Sequence, residues 1–303
     1  MKIVSDINNN GRPINLLFDA SSIFYRSIYG IVKELEKEAY QNFGMFKSCV
    51  LENIVHTSRM FDNPKIILCF DKKQDGKYWR NEIFPAYKEQ RKTMASRIPK
   101  EIIAKQFVEL MLEIKSNFPW HVYMVEKCEA DDIIAVYVQE HASDNNIIVG
   151  TDKDYIMLTS NPNVKILNHG KKIFEDEDAV KFKFAHIVSG DSVDNIRNIF
   201  STANKDGTRQ KPITKKMLTE MFDVFHKEGE EKFKEKYLTT PQLLQRYQEN
   251  CNLIDLNNVP QEIRQKIIDF VANEVPEGNY AKARKYFINN RLRTLMDMTV
   301  NGL

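Results

Sequence analysis

Short apolar runs, separated by longer stretches of helical spacing, set the architecture of the first half of the chain. Ile14-Asn15-Leu16-Leu17-Phe18 leads into Asp19-Ala20-Ser21-Ser22, and Lys65-Ile66-Ile67-Leu68-Cys69-Phe70 leads into Asp71. His121 to Val125, Asn146 to Val149 (then Gly150-Thr151-Asp152) and Val164 to Leu167 continue the series. Near-continuous runs this short predict strands buried on both faces, as in parallel sheets. Phe43 to Phe61 and Glu129 to His141 carry helical spacing between them; Ile133, Ile134, Tyr137 and Val138 make one apolar stripe. The alternation predicts an α/β fold with an open, mostly parallel sheet flanked by helices.

Beyond about residue 185 the strand-like runs stop. Lys215 to His226, Pro241 to Cys251, Pro260 to Asn273 and Tyr280 to Met298 read as helices joined by polar or Pro-containing turns. The pattern divides the chain into an α/β unit over residues 1–185 and a smaller all-helical unit over 186–303. The run Glu175-Asp176-Glu177-Asp178 reads as a turn or helix start, where negative charge is favourable.

Composition narrows the class. Apolar residues make 42% of the 303 and charged residues 28%, a soluble globular balance. No apolar run reaches the length of a membrane span, and the start lacks a signal-peptide core, so a cytoplasmic location is expected. Cys49, Cys69, Cys128 and Cys251 form no C-x-x-C pair and read as reduced thiols. Net charge is only +2, but it is unevenly spread. Lys72 to Lys100 holds nine basic residues and three acids, Ser201 to Lys216 five and one, and Asn279 to Arg293 five and none. Basic segments around an acidic pocket point to a polyanion held over a metal site.

The acids themselves follow the strand ends. Asp19, Asp71 and Asp152 each close a run or follow within three residues, and parallel strands end on one shared edge, where open α/β proteins bind ligands. Any one of them reads as a turn or helix cap. Three together repel unless a cation intervenes. Glu129-Ala130-Asp131-Asp132 opens a predicted helix, with Glu129 and Asp132 on one face. Asp154 follows Asp152, and Gly190-Asp191-Ser192-Val193-Asp194-Asn195 puts two more acids at the start of a helical segment. Nine carboxylates of this kind favour a hard cation such as Mg²⁺, with Mn²⁺ as a substitute, and are more than one ion needs.

In this order the motifs Phe18-Asp19, Phe70-Asp71, Glu129-Ala130-Asp131-Asp132, Gly150-Thr151-Asp152-Lys153-Asp154 and Gly190 to Asn195 resemble those of the 5′-nuclease superfamily. That superfamily includes flap endonucleases and phage 5′-exonucleases. Gly76-Lys77-Tyr78-Trp79-Arg80, Arg246 to Asn250 and Leu253-Ile254-Asp255 are similar to its branch of T-even phage ribonucleases H. The resemblance implies a PIN-like sheet domain and a two-metal hydrolase working 5′→3′ and at flaps and forks. It implies action on DNA and RNA–DNA duplexes, with removal of RNA primers and adjacent DNA during lagging-strand replication. It places Asp19, Asp71, Asp131 and Asp152 around a first ion, and Glu129, Asp132, Asp154, Asp191 and Asp194 around a second. A monomer is expected, with a single-strand-binding protein and a sliding clamp as partners.

Lys72 to Lys100 carries Tyr78, Trp79 and Tyr87 among its cations. It reads either as a solvated loop or as a strand-gripping segment, with aromatics on bases and cations on phosphates. The resemblance assigns residues near 72–120 to an arch or bridge region, with Lys88 and Arg91 reaching the scissile phosphate. Such cations offset charge on the phosphoryl oxygens. Arg80 and Tyr87 are expected to touch DNA. The second unit is expected to hold duplex backbone through a helix-turn-helix type element. There Lys205, Arg209, Lys211, Lys215 and Lys216 are either phosphate contacts or a surface loop, since Ser201 to Pro212 departs from the family's Gly-rich hairpin. The six histidines are scattered without an H-x-x-x-H pair and none is nominated. Two other classes stay open: a metal-dependent phosphatase or phosphotransferase, and a non-catalytic nucleic-acid-binding replication protein.

Overall fold

The structure is a computed structural model, described here for residues 2–38, 40, 42–92, 98–168, 173–201, 212–292 and 294–296. In chain order the first half comprises α1 (Lys2–Asn9), β1 (Ile14–Asp19), α2 (Ala20–Gly30), α3 (Val32–Lys37), α4 (Gly44–Ser58), β2 (Lys65–Cys69), α5 (Arg80–Ile83), α6 (Lys100–Asn117), β3 (His121–Tyr123), α7 (Ala130–Glu140), β4 (Asn145–Gly150) and β5 (Val164–Asn168). A two-residue strand, β6 (Ile173–Phe174), precedes α8 (Ala179–Ser189), α9 (Lys215–Glu228), α10 (Glu230–Tyr237), α11 (Pro241–Ile254), α12 (Gln261–Asn273) and α13 (Tyr280–Asn289).

The strands form one sheet in the order β3-β2-β1-β4-β5-β6. All neighbours are parallel except β5 and β6. Each of the five predicted runs is a strand. Only β6 was not anticipated, because two residues carry no period.

Successive residues of β1 face opposite sides, and both sides are covered. Leu16 and Phe18 enter a core with Phe24 of α2, Phe46 of α4 and Phe287 of α13. Leu17 enters a second core with Ile133 and Ile134 of α7 and Ile267 of α12. A third core joins Phe184 and Val188 of α8 to Met221, Phe233 and Tyr247, and it includes Tyr78, Tyr87 and Met157 from the first half. Residue 185 lies within α8, and the C-terminal helices share their cores with the sheet unit.

The last predicted helix is interrupted after Asn289, because Arg291 adopts a left-handed φ of 56° and the Leu292 N–H closes back onto the Phe287 carbonyl at 2.9 Å; among the described residues helical geometry resumes at 294–296. The run Glu175 to Asp178 is a helix start, as read: the Asp178 carboxylate accepts the Val180 and Lys181 N–H groups of α8.

Candidate metal centre

The sheet order reverses at the β1–β4 pair, where the crossovers leave on opposite faces and a crevice opens past the strand ends. Asp19 ends β1 and caps α2: its Oδ1 accepts the Ser22 N–H at 2.9 Å, and its Oδ2 accepts the Tyr155 hydroxyl at 3.2 Å. Asp71 stands just past β2, and its Oδ1 accepts the N–H of Ala130, first residue of α7, at 2.8 Å. Asp152 follows β4 and accepts the Asp154 N–H at 3.0 Å.

Asp191 and Asp194 sit in a turn after α8, not at the start of a helix as expected. Asp191 Oδ1 accepts the N–H groups of Val193 (2.7 Å) and Asp194 (3.3 Å). The turn needs Gly190, at φ 70°, where an added Cβ would lie 2.5 Å from the Arg197 carbonyl carbon. Buried Asn250 of α11 pins both flanks by donating to the Ile187 and Arg197 carbonyls, each at 2.8 Å.

Eight of the nine predicted acids line one cavity of about 330 Å³: Asp19, Asp71, Glu129, Asp131, Asp152, Asp154, Asp191 and Asp194. The ninth, Asp132, does not. It is fully buried; its Oδ2 accepts from Trp79 Nε1 and from the Glu129 N–H, both at 2.9 Å, and its Oδ1 pairs with the Arg80 guanidinium at 2.9 Å. With Glu129 it closes a capping box on α7. Asp132 is thus a buried anchor of the helix start, off the main cavity, with an oxygen within 4.8 Å of one from each of Glu129 and Asp131. Asp132→Ala is expected to cost about 3–5 kcal/mol, because it removes one carboxylate from a buried ion-pair network and leaves Trp79 Nε1 and the Glu129 N–H without their acceptor. Asp131→Ala is expected to change stability by less than about 1 kcal/mol. Equal losses in denaturant titrations of the two variants would contradict the distinction.

The basic segment is also rearranged relative to expectation. Arg80 is 2% exposed and Tyr87 4% exposed, so neither is the surface DNA contact anticipated for it. Arg80 lies over the Trp79 ring, reaches Glu129 at 3.0 Å and Asp132, and donates from Nε to the Leu253 carbonyl at 3.0 Å. The Tyr87 hydroxyl donates to Glu129 (2.8 Å) and Asp194 (3.1 Å). Tyr78 and Trp79 are buried too, where base stacking was one reading. The carboxylates beneath the site attract these cations inward.

Lys88 and Arg91 do reach the cavity. Lys88, with a left-handed φ of 55°, pairs with Glu129 and lies 3.4 Å from Asp194; Arg91 pairs with Asp194. Lys215 and Lys216 are exposed on the first turn of α9. Lys205, Arg209 and Lys211 lie outside the described residues.

The electrostatics fit a cation. Burial, then the neighbouring Asp71 and Asp152, raises Asp19 to about 7. Burial with Asp152, Asp191 and Asp194 raises Asp154 to about 7. Burial raises Asp71, Asp131 and Asp194 as well. Glu129 goes the other way: burial opposes its charge, but Lys88 and Arg80 hold it below the usual range. Asp131 Oδ1 is buried without a hydrogen-bond partner among the described residues. A buried oxygen without a hydrogen bond, amid crowded carboxylates and 3.7 Å from the Arg80 guanidinium, fits the donor set a divalent ion completes.

A pH prediction follows from the raised groups. In the metal-free fold Asp19 and Asp154 bind protons more tightly than in the unfolded chain. Their contribution is complete below the ordinary carboxylate range and disappears as pH rises through about 7. The Tm in chelator is expected to fall on the order of 5 °C between pH 5.5 and 8.5, and Mg²⁺ to restore it most at high pH. A metal-free Tm that rises over that window would contradict the assignment.

One residue of the cluster was not anticipated. His186 of α8 brings Nε2 to 3.4 Å from Asp154 and 3.7 Å from Asp191. Histidine spacing does not single it out, because its partners are aspartates. Its place one helical turn before Gly190-Asp191 was the available signal.

The comparisons agree with this geometry. The family described as 5′-3′ exonuclease, N-terminal resolvase-like domain, matches residues 15–185, and the T4 RNase H C-terminal family matches 180–301. The ribonuclease H of Enterobacteria phage T4 is 27% identical over 269 residues, spanning 84% of this chain and 85% of that protein. The flap endonuclease Xni of Aliivibrio salmonicida is 34% identical over 121 residues, 39% of this chain and 44% of that one. A flap endonuclease of bacteriophage T5, solved with DNA and metal ions, shares the fold at TM-score 0.60 and 17% identity, covering 85% of this chain and 97% of that one. With its acids on one strand edge and its helical C-terminal half, the chain belongs to the 5′-3′ exonuclease family.

Proposed function

We propose that this chain is a divalent-metal-dependent nuclease that hydrolyses phosphodiesters of DNA and RNA–DNA duplexes from 5′ ends and at flaps and forks, primer RNA among its substrates. The convergence of eight carboxylates on one cavity with Lys88 and Arg91 among its lining residues carries this reading. Two Mg²⁺ ions are the expected cofactors, replaceable by Mn²⁺; when bound they supply Lewis acidity toward water and phosphate. Asp19, Asp71, Asp131 and Asp152 would hold the first, and Asp154, Asp191 and Asp194 the second. Glu129 would help hold the second only with Lys88 displaced, since its oxygens already accept from Arg80, Tyr87 and Lys88.

The residues divide the remaining work. Lys88 and Arg91 meet the phosphoryl oxygens and offset charge that builds on them. The deep carboxylates keep their orientation through α7 and the Arg80 network. Lys215 and Lys216, with the pair α9–α10, provide the grip on duplex backbone in this reading. No described helix is long and apolar enough to cross a membrane. A monomer in the cytoplasm, working beside a single-strand-binding protein and a sliding clamp, completes the proposal.

The test is a 5′-labelled flap and a matched substrate with a blocked 5′ end, each with Mg²⁺ or chelator. Short labelled products from the free end, and cleavage at the junction of the flap, are expected only with Mg²⁺. Cleavage that survives chelator, or that starts from 3′ ends, would overturn it.

A further inference from the structure

Three elements deliver three different donors to one spot beside the main cavity. Asp154 opens the 3₁₀ turn after β4, His186 lies in the last turns of α8, and Asp191 heads the turn that follows. One donor atom from each lies within 4.8 Å of the others. The His186 ring packs against Phe182, centroids 5.7 Å apart and 19° from parallel, which fixes its direction. Its Nε2 is shielded from solvent and has no hydrogen-bond partner among the described residues. His186 borders a small cavity of about 10 Å³, lined also by Arg80, Tyr87, Asp131, Asp154, Asp191 and Asp194. That space suits one water-sized occupant.

The donor separations carry the argument. Two ligands on one ion at ~2.1 Å stand ~3.0 Å apart at an octahedral edge and ~3.4 Å apart in a tetrahedron. The 3.4 Å and 3.7 Å from His186 Nε2 to the two carboxylates are close to those spacings. An imidazole nitrogen suits first-row transition ions, whereas Mg²⁺ prefers oxygen and retains water.

We propose that His186 is a ligand of the second cation, beside Asp154 and Asp191, and that it makes this position favour Mn²⁺, Co²⁺ or Zn²⁺ over Mg²⁺. The inference rests on the metal-nuclease reading above and adds a nitrogen donor and a metal preference to it.

The experiment uses Co²⁺ and the full chain. In proton NMR of the Co²⁺-loaded wild type, one hyperfine-shifted, water-exchangeable imidazole N–H is expected, and it should be absent from folded His186→Gln. By calorimetry, His186→Gln should lose roughly tenfold or more of Mn²⁺ affinity at one site, with Mg²⁺ affinity changed less than twofold. A wild type that binds Co²⁺ without the shifted resonance overturns the proposal, whether or not the variant folds. So does a variant with an unchanged ratio of Mn²⁺ to Mg²⁺ affinity. A wild type that binds no divalent ion and cuts no flap would instead remove the nuclease reading itself.

Discussion

Asp71→Asn is expected to lower cleavage by roughly a thousandfold or more while leaving DNA binding intact or tighter. The substitution is nearly isosteric. Asp71 Oδ1 accepts the Ala130 N–H at 2.8 Å, and the amide oxygen of Asn keeps that bond, so the join between β2 and α7 survives. What disappears is one negative charge at the strand edge, in a cavity shared with seven other carboxylates. A metal site supplies several kcal/mol of transition-state stabilisation, and ~1.4 kcal/mol is a decade in rate. Loss of the charge also reduces repulsion toward an incoming phosphate. Single-turnover cleavage with Mg²⁺ and gel-shift binding with Ca²⁺ separate the two effects. Full cleavage by the variant would sink the metal-site assignment, and loss of binding with normal melting would move Asp71 to another role.

The parts of this molecule that were legible in the sequence are those whose physics is local. A parallel strand buried on both faces is a continuous apolar run, and each of the five runs became one. An acid just past such a run lies on the shared edge, and Asp19, Asp71 and Asp152 are there. What the sequence concealed depends on tertiary partners. Arg80 reads as surface because its neighbours in sequence are polar and basic. In three dimensions Glu129, Asp131 and Asp132 compensate its charge, and it is nearly inaccessible. Asp132 sits in the same motif as Asp131, yet one residue of helix rotation turns it away from the cavity toward Trp79 and Arg80. His186 belongs to no motif at all; only the packing of α8 against the turn at Asp154 brings it to the carboxylates. The helical half was legible as helices, but not that α12 and α13 would close over the sheet cores.

Lys88→Ala is expected to slow turnover by roughly 10²–10³-fold, the usual cost of removing one transition-state donor, and to lower the Mg²⁺ concentration needed for half-maximal rate. The second effect distinguishes a catalytic cation from a simple anchor. Without substrate Lys88 occupies Glu129 and approaches Asp194, and those carboxylates raise its own pKa although burial opposes the charge. It therefore competes with a cation for the acids it neutralises. Its left-handed backbone and the N–H it donates to the Asp194 carbonyl at 3.2 Å fix the root of the side chain, so the ammonium moves on a short tether. Lys88 could exchange Glu129 for a phosphoryl oxygen, and Glu129 and Asp194 would then be the carboxylates left to hold a cation. In the alanine variant the ion meets no competitor, but the charge building on the phosphate meets no ammonium. A titration of single-turnover rate against Mg²⁺ reads both numbers at once. A variant with an unchanged maximal rate and weaker DNA binding would assign Lys88 to substrate grip alone. A raised Mg²⁺ requirement would show that its contact with Glu129 organises the site instead of guarding it.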